Sequence, residues 1–165
     1  DYSGEFFQFE QARIIPVPDP PIPVYVGGRA DAALRRAGRY ADGWLGIWCS
    51  SERYAESIEL FDRAAEERNR SIEADHGIQL WVGVGEDKDE AASYVGPAME
   101  GFYRVPFDKF ARYTPHGTVD NIVDFLAPYL EAGCRHFNLT PVASSSEKGI
   151  EAIAQVGERL RAMAD

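Results

Sequence analysis

From Pro23 onward the apolar residues of this chain alternate between two spacings. Val24-Tyr25-Val26 is a short apolar run stopped by Gly27-Gly28, which predicts a strand. The stretch ADAALRRAGRYA then sets Ala33, Leu34, Ala37 and Ala41 at helical spacing, and Asp42-Gly43 closes that helix. Trp44-Leu45-Gly46-Ile47-Trp48 predicts a second strand, on which the two tryptophans share a face. Ser50 or Ser51 caps a helix from about Glu52 to Asn69, with Tyr54, Ile58, Phe61 and Ala65 inward. Its end, Glu66-Glu67-Arg68-Asn69-Arg70, reads as solvated. Ile78 to Val84 predicts a third strand, and Asp87 caps a helix from about Lys88 to Phe102. Arg104 to Pro115 reads as a loop or broken helical piece. Thr118 caps a helix from Val119 to Ala132, which Gly133 stops. Arg135 to Thr140 predicts a fourth strand. A Ser-rich loop leads into a last helix with Ile150, Ile153, Val156 and Leu160 facing inward.

Residues 1–22 follow neither spacing. GEFFQFE reads as a short extended piece, and Phe6, Phe7 and Phe9 are expected to cover apolar surface elsewhere. Five prolines from Pro16 to Pro23 exclude a helix or a central strand. The chain therefore reads as a single domain over 1–165, with 1–22 an extended Pro-rich lead-in and 23–165 the regular part. Four strands alternating with helices form an α/β domain of parallel strands and crossover helices. Two architectures satisfy that order: a small doubly wound parallel sheet, or part of a (β/α)8 barrel. Four units fall short of the ~250 residues a closed barrel takes.

Composition narrows the class. The 165 residues, 45% apolar and 27% charged, suit one globular domain. No apolar run approaches the ~18 residues of a membrane span, so no membrane partner is expected. The start, Asp1-Tyr2-Ser3-Gly4-Glu5, lacks the order of a signal peptide and an initiator Met, which suggests a processed start or a piece of something longer. A net charge of −10, from 27 acidic and 17 basic residues, opposes nucleic acid as a partner. Cys49 and Cys134 make no disulfide framework and no zinc pattern, so no metal is expected and a reducing cytoplasmic setting is the default.

Chemistry concentrates at the end of the first strand. Glycines at Gly27-Gly28 let the main chain approach a ligand, the helix start favours an anion, and Arg29 adds a charged donor. Taken alone, the pair reads first as a tight strand-to-helix turn. His116 reads as a solvent-exposed cap residue, His136 as core packing and His76 as surface. Cys49 is expected to be inert, and one of the tryptophans could stack on a planar ring. No Ser/His/Asp or Cys/His arrangement is readable, and no paired carboxylates stand out, which fits an enzyme whose cofactor does the redox chemistry.

The run PPIPVYVGGRADAALRRAGRYADGWLGIW resembles the luciferase-like monooxygenase superfamily. In those proteins a Pro-rich lead, a strand ending in Gly-Gly, an Ala/Arg helix and ADGW recur together. GEFFQFE, WVGVGEDKDEA and GTVDNIVDFLAPYLEAGCRHFNL resemble further segments of the family in the expected order. The resemblance implies the C-terminal half of a (β/α)8 barrel, with Val24–Val26 as the fifth strand and 135–140 as the eighth. It implies an oxidoreductase or monooxygenase using FMN or the deazaflavin F420 on a small-molecule substrate. Val26, Gly27, Gly28 and Arg29 would then meet the cofactor phosphate, and Gly46 and Ile47 would form the adjoining wall. Tyr103, Arg104 and Phe107 would lie near the barrel mouth as substrate contacts. Half a barrel leaves open strand edges, so the partner expected is the N-terminal half-barrel or a second copy, giving a homo-oligomer. The rival expectation is a non-catalytic αβ assembly module that binds no flavin.

Overall fold

A computed structural model describes residues 1–72 and 75–164. Its first segment is a small antiparallel hairpin, β1 (Tyr2–Ser3) and β2 (Gln8–Phe9), with Tyr2 opposite Phe9 and their rings stacked at 5.5 Å. Phe6 and Phe7 stand 81% and 73% exposed, so the expected cover of apolar surface is not made within this chain. Ile14, Ile15, Val17 and Ile22 are exposed as well. Proline-rich main chain has few N–H groups to give a ladder, and this run joins none.

The regular part comprises β3 (Tyr25–Gly27), α1 (Asp31–Tyr40), β4 (Gly43–Ile47), α2 (Ser51–Glu66), β5 (Gly77–Val84) and α3 (Lys88–Tyr103). Then come β6 (His116–Gly117), α4 (Val119–Glu131), β7 (His136–Val142) and α5 (Ser146–Ala164). Two 3-10 turns, Phe107–Lys109 and Ala111–Tyr113, occupy the segment expected to be irregular. All pairings in the main sheet are parallel. Gly77 pairs with both Leu45 and His136, and Gly83 with both His116 and Val142. A residue has only two edges, so β4 and β6 lie on one side of β5 and β7 on the other. The long strands therefore run β3–β4–β5–β7 in chain order. That is the progression of a barrel wall; a doubly wound sheet reverses its strand order at a switch point. The fold is α/β, with consecutive βα units forming a half-barrel.

Helices α1, α2, α4 and α5 cover one face, where Leu34, Tyr54, Phe61, Leu126, Val156 and Leu160 bury against Ile78, Leu80 and Val82 of β5. Period-2 alternation puts Trp81 on the opposite face. There α3 contributes Val95 and Met99 to a second cluster with Trp48, Tyr103 and Phe110. Gly83 permits this approach, since a Cβ there would sit 2.8 Å from Val95.

Local signals set the helix ends. Ser50 accepts from the Arg53 amide, Asp87 accepts from the Glu90 amide at 2.8 Å, and Thr118 forms a capping box with Asn121. Gly133, at φ 93°, ends the α4 segment. Two expectations are corrected. Ile150 is 66% exposed, and the inward face of α5 is Gly149, Ala152, Val156 and Leu160, because Gly149 seats the helix against Pro141. Arg70 is also more than a solvated helix end. Its guanidinium donates to the Gly38 carbonyl at 2.6 Å and the Ala41 carbonyl at 3.0 Å, satisfying acceptors that the end of α1 leaves open.

Candidate functional site

The Gly-Gly turn sits where β3 meets α1, at the C-terminal edge of the sheet. Val26 pairs with Trp44 and Gly27 with Leu45. Gly28 adopts φ 131°, a conformation glycine takes readily, and its carbonyl accepts from the Trp44 indole N–H at 2.8 Å. A side chain at Gly28 would press on Ala33 at 2.8 Å, whereas one at Gly27 would meet only the Leu45 carbonyl at 3.8 Å. The next helix starts at Ala30 without a side-chain cap, so its first N–H groups have no side-chain acceptor.

Beside this turn lies a cavity of about 500 Å³, walled chiefly by Arg29, Trp44, Trp48, Cys49, Arg53 and Arg112. Of the residues nominated for the phosphate, Arg29 reaches this wall, and the tryptophans weighed for ring stacking line it too. Gly46 is buried beneath the Trp44 indole, and Ile47 pairs with Gln79 one strand further on. Arg53 is held by Asp31 at 2.5 Å and Glu56 at 3.2 Å. Sequence reasoning passed over Arg53 and Arg112. Arg53 had a signal, because a cation in the first turn of a helix opposes the helix dipole. Arg112 sits in a segment without periodicity and had none.

The tryptophans do not share a face as expected. Trp44 packs on Tyr54 at 5.2 Å, in the helix-facing core. Trp48 falls one residue beyond β4 at φ 49°, which breaks the strand alternation and turns its ring onto Tyr103 and Phe110. Cys49 is buried, and burial pushes its thiol up to about 11 even though Arg29 and Arg53 pull it down. It therefore stays protonated and unreactive near neutral pH.

Each histidine differs from its sequence reading. His76 is 4% exposed; its Nδ1 accepts from the Trp44 amide at 3.2 Å and its ring meets Phe61 edge-on. Burial holds its pKa below the ordinary value. His116 is half-buried, with Nδ1 2.7 Å from the Thr114 carbonyl and its ring facing Phe107. His136 is exposed at the N-terminal end of β7, outside the core, beside Asp75 at 3.7 Å and Tyr25. Tyr103 accepts from the Trp81 indole at 3.1 Å and Phe107 packs on the second cluster, while Arg104 ends α3 in the left-handed conformation and is exposed. Among the described residues no group of His, Cys, Asp and Glu is placed to hold a metal ion, and no helix is long and apolar enough to cross a membrane.

The sequence pattern of the luciferase-like monooxygenase family matches residues 1–157. The chain belongs to that family. An F420-dependent glucose-6-phosphate dehydrogenase of Amycolatopsis mediterranei is 26% identical over 82% of this chain and 48% of its own length. An uncharacterized Mycobacterium tuberculosis protein is 53% identical over 45 residues, 27% of this chain and 15% of its own length. Among solved structures, an F420-dependent secondary alcohol dehydrogenase in complex with an F420-acetone adduct superposes with a TM-score of 0.80. It is 20% identical and matches 94% of this chain and 54% of that one. EDTA monooxygenase from Chelativorans gives 0.67 at 15% identity, over 98% of this chain and 50% of that one. This luciferase-like chain thus spans about half the length of the longer matches.

Proposed function

We propose that this chain supplies the cofactor-phosphate side of a cytoplasmic FMN- or F420-dependent oxidoreductase acting on a small molecule. The single observation that carries this is the uncapped Gly27-Gly28 turn, which leads into Arg29 on a cavity walled by arginines. The residues fit a phosphate. Gly27 leaves its main chain approachable, the first amides of α1 have no side-chain cap, and Arg29 brings positive charge. Val26 fixes the turn to β4 through its ladder partner Trp44, while Gly46, beneath the Trp44 indole, and Ile47, paired with Gln79, support this edge from behind the cavity. The bound cofactor supplies hydride transfer or oxygen activation. The chain's own residues bind its phosphate, orient it and wall it off with Trp44 and Trp48.

Support for F420 comes from the relatives named for it, and support for a flavin from the monooxygenase likeness. Membership of the family weighs against the alternative of an assembly module that binds no flavin. The partner in this reading is the other four βα units, meeting the outer edges of β3 and β7. Within the described residues β3 pairs only with β4, and β7 only with β5.

The test is a fluorescence titration with FMN and with F420, of this chain alone and with the complementary half-barrel added. Gly27→Val is the informative variant, because the space at Gly27 accepts a side chain, which would crowd the approach of a ligand to the turn. Its cofactor affinity is expected to drop at least tenfold, roughly the loss of one charged hydrogen bond, with thermal unfolding little changed. Unaltered affinity in this variant would remove the phosphate assignment.

A further inference from the structure

The arginine-walled cavity holds more positive charge than one phosphate needs. Arg29, Arg53 and Arg112 converge on it from β3's end, α2 and the second 3-10 turn, and no carboxylate lines the wall. This occurs in a chain of net charge −10, where a random patch would be acidic. Arg53 is already committed to Asp31 and Glu56. Arg29 and Arg112 have no carboxylate partner among the described ion pairs. Arg112 is stacked on the Tyr113 ring at 4.5 Å, which steadies the guanidinium without neutralising it. Its turn is anchored on the apolar side by Phe110, 6% exposed and packed against Trp48 at 4.8 Å.

We infer that the cavity takes a ligand with at least two anionic groups, one at Arg29 and the other at Arg112. This rests on the phosphate reading of the Gly27-Gly28 turn and extends it across the cavity to a residue that reading does not use. Arg112 is thereby a specificity-determining residue. It reads the second anion, and the Ala111–Tyr113 turn carries it there from a different part of the chain.

Calorimetric titration with inorganic phosphate and with tripolyphosphate tests this on the chain as it stands. Tripolyphosphate is expected to bind at least tenfold more tightly than phosphate, and the preference to shrink as ionic strength rises. Arg112→Gln is expected to bring the two probes to similar affinity, and Arg112→Lys to restore part of the difference. Equal affinity of the native chain for both probes, or a preference untouched in R112Q, overturns the inference. Failure of the phosphate reading shows separately, as phosphate binding unaffected by Gly27→Val. Titrations with larger ligands identify the source of the second anion. An Arg112-dependent preference for F420 over FMN assigns it to the cofactor. Arg112-dependent binding of pyrophosphate to FMN-saturated protein assigns it to the substrate.

Discussion

His76 shows how one side chain can tie a strand to pH. It stands immediately before β5, buried against Phe61, and accepts the Trp44 amide at Nδ1. Protonation would remove that acceptor and place charge in the core; Asp62 and Asp75 offset the burial only in part. The folded pKa lies below the unfolded value of about 6.5, so the unfolded chain binds the proton first. This contribution to stability is complete above pH about 6.5 and declines as pH falls toward the folded value. Thermal unfolding measured from pH 7.5 to 5 should show that decline. His76→Gln keeps an acceptor, should cost about 1 kcal/mol at neutral pH, and should flatten the slope; an unchanged slope would assign the acid sensitivity to other groups. The chemistry of His76 was invisible in sequence because its flanks are polar, and only the return of β4 beside β5 buries it. Arg29 was legible for the opposite reason: its position follows from a strand, a glycine pair and a helix that adjoin in the chain.

Between elements, the crossing of α1 and α2 is set by the absence of a side chain at Gly38. A Cβ there would collide with the Phe61 carbonyl and approach the Ala64 side chain at 2.9 Å. Gly38→Ala should therefore destabilise the fold by about 1–3 kcal/mol through overpacking, although alanine favours a helix intrinsically. Urea unfolding would check this, and a stabilised variant would show that the crossing relaxes freely. Helices and long strands were readable because their caps and periodicities are local, as at Ser50, Asp87 and Thr118. The hairpin of β1 and β2, the two-residue β6 and the 3-10 turns were not, since each is defined by a partner rather than by its own pattern. The same limit explains α5: helical spacing nominated Ile150, but contact with Pro141 selected the Gly149 face.

At the scale of the molecule, the wall of four parallel strands leaves the outer edges of β3 and β7 unpaired among the described residues. A cleft of about 290 Å³ at β7, bounded by Phe137, Leu139, Ile153 and Leu160, adds apolar surface to one of them. Unpaired edges beside apolar surface favour association. Sedimentation of the chain alone should show concentration-dependent dimers or larger species, relieved when the complementary half-barrel is added. A monodisperse monomer across micromolar concentrations would show that the edges are tolerated. Sequence alternation gave the parallel class but not the closure, because barrel and doubly wound sheets share one local pattern and differ only in strand order. The cavity itself, however, draws its whole wall from residues 29–113 of one chain. Under the proposed reading, a genetic exchange joining new sequence at the proline-rich run would pass the anion site on undivided, leaving the incoming segment free to vary what the protein acts upon.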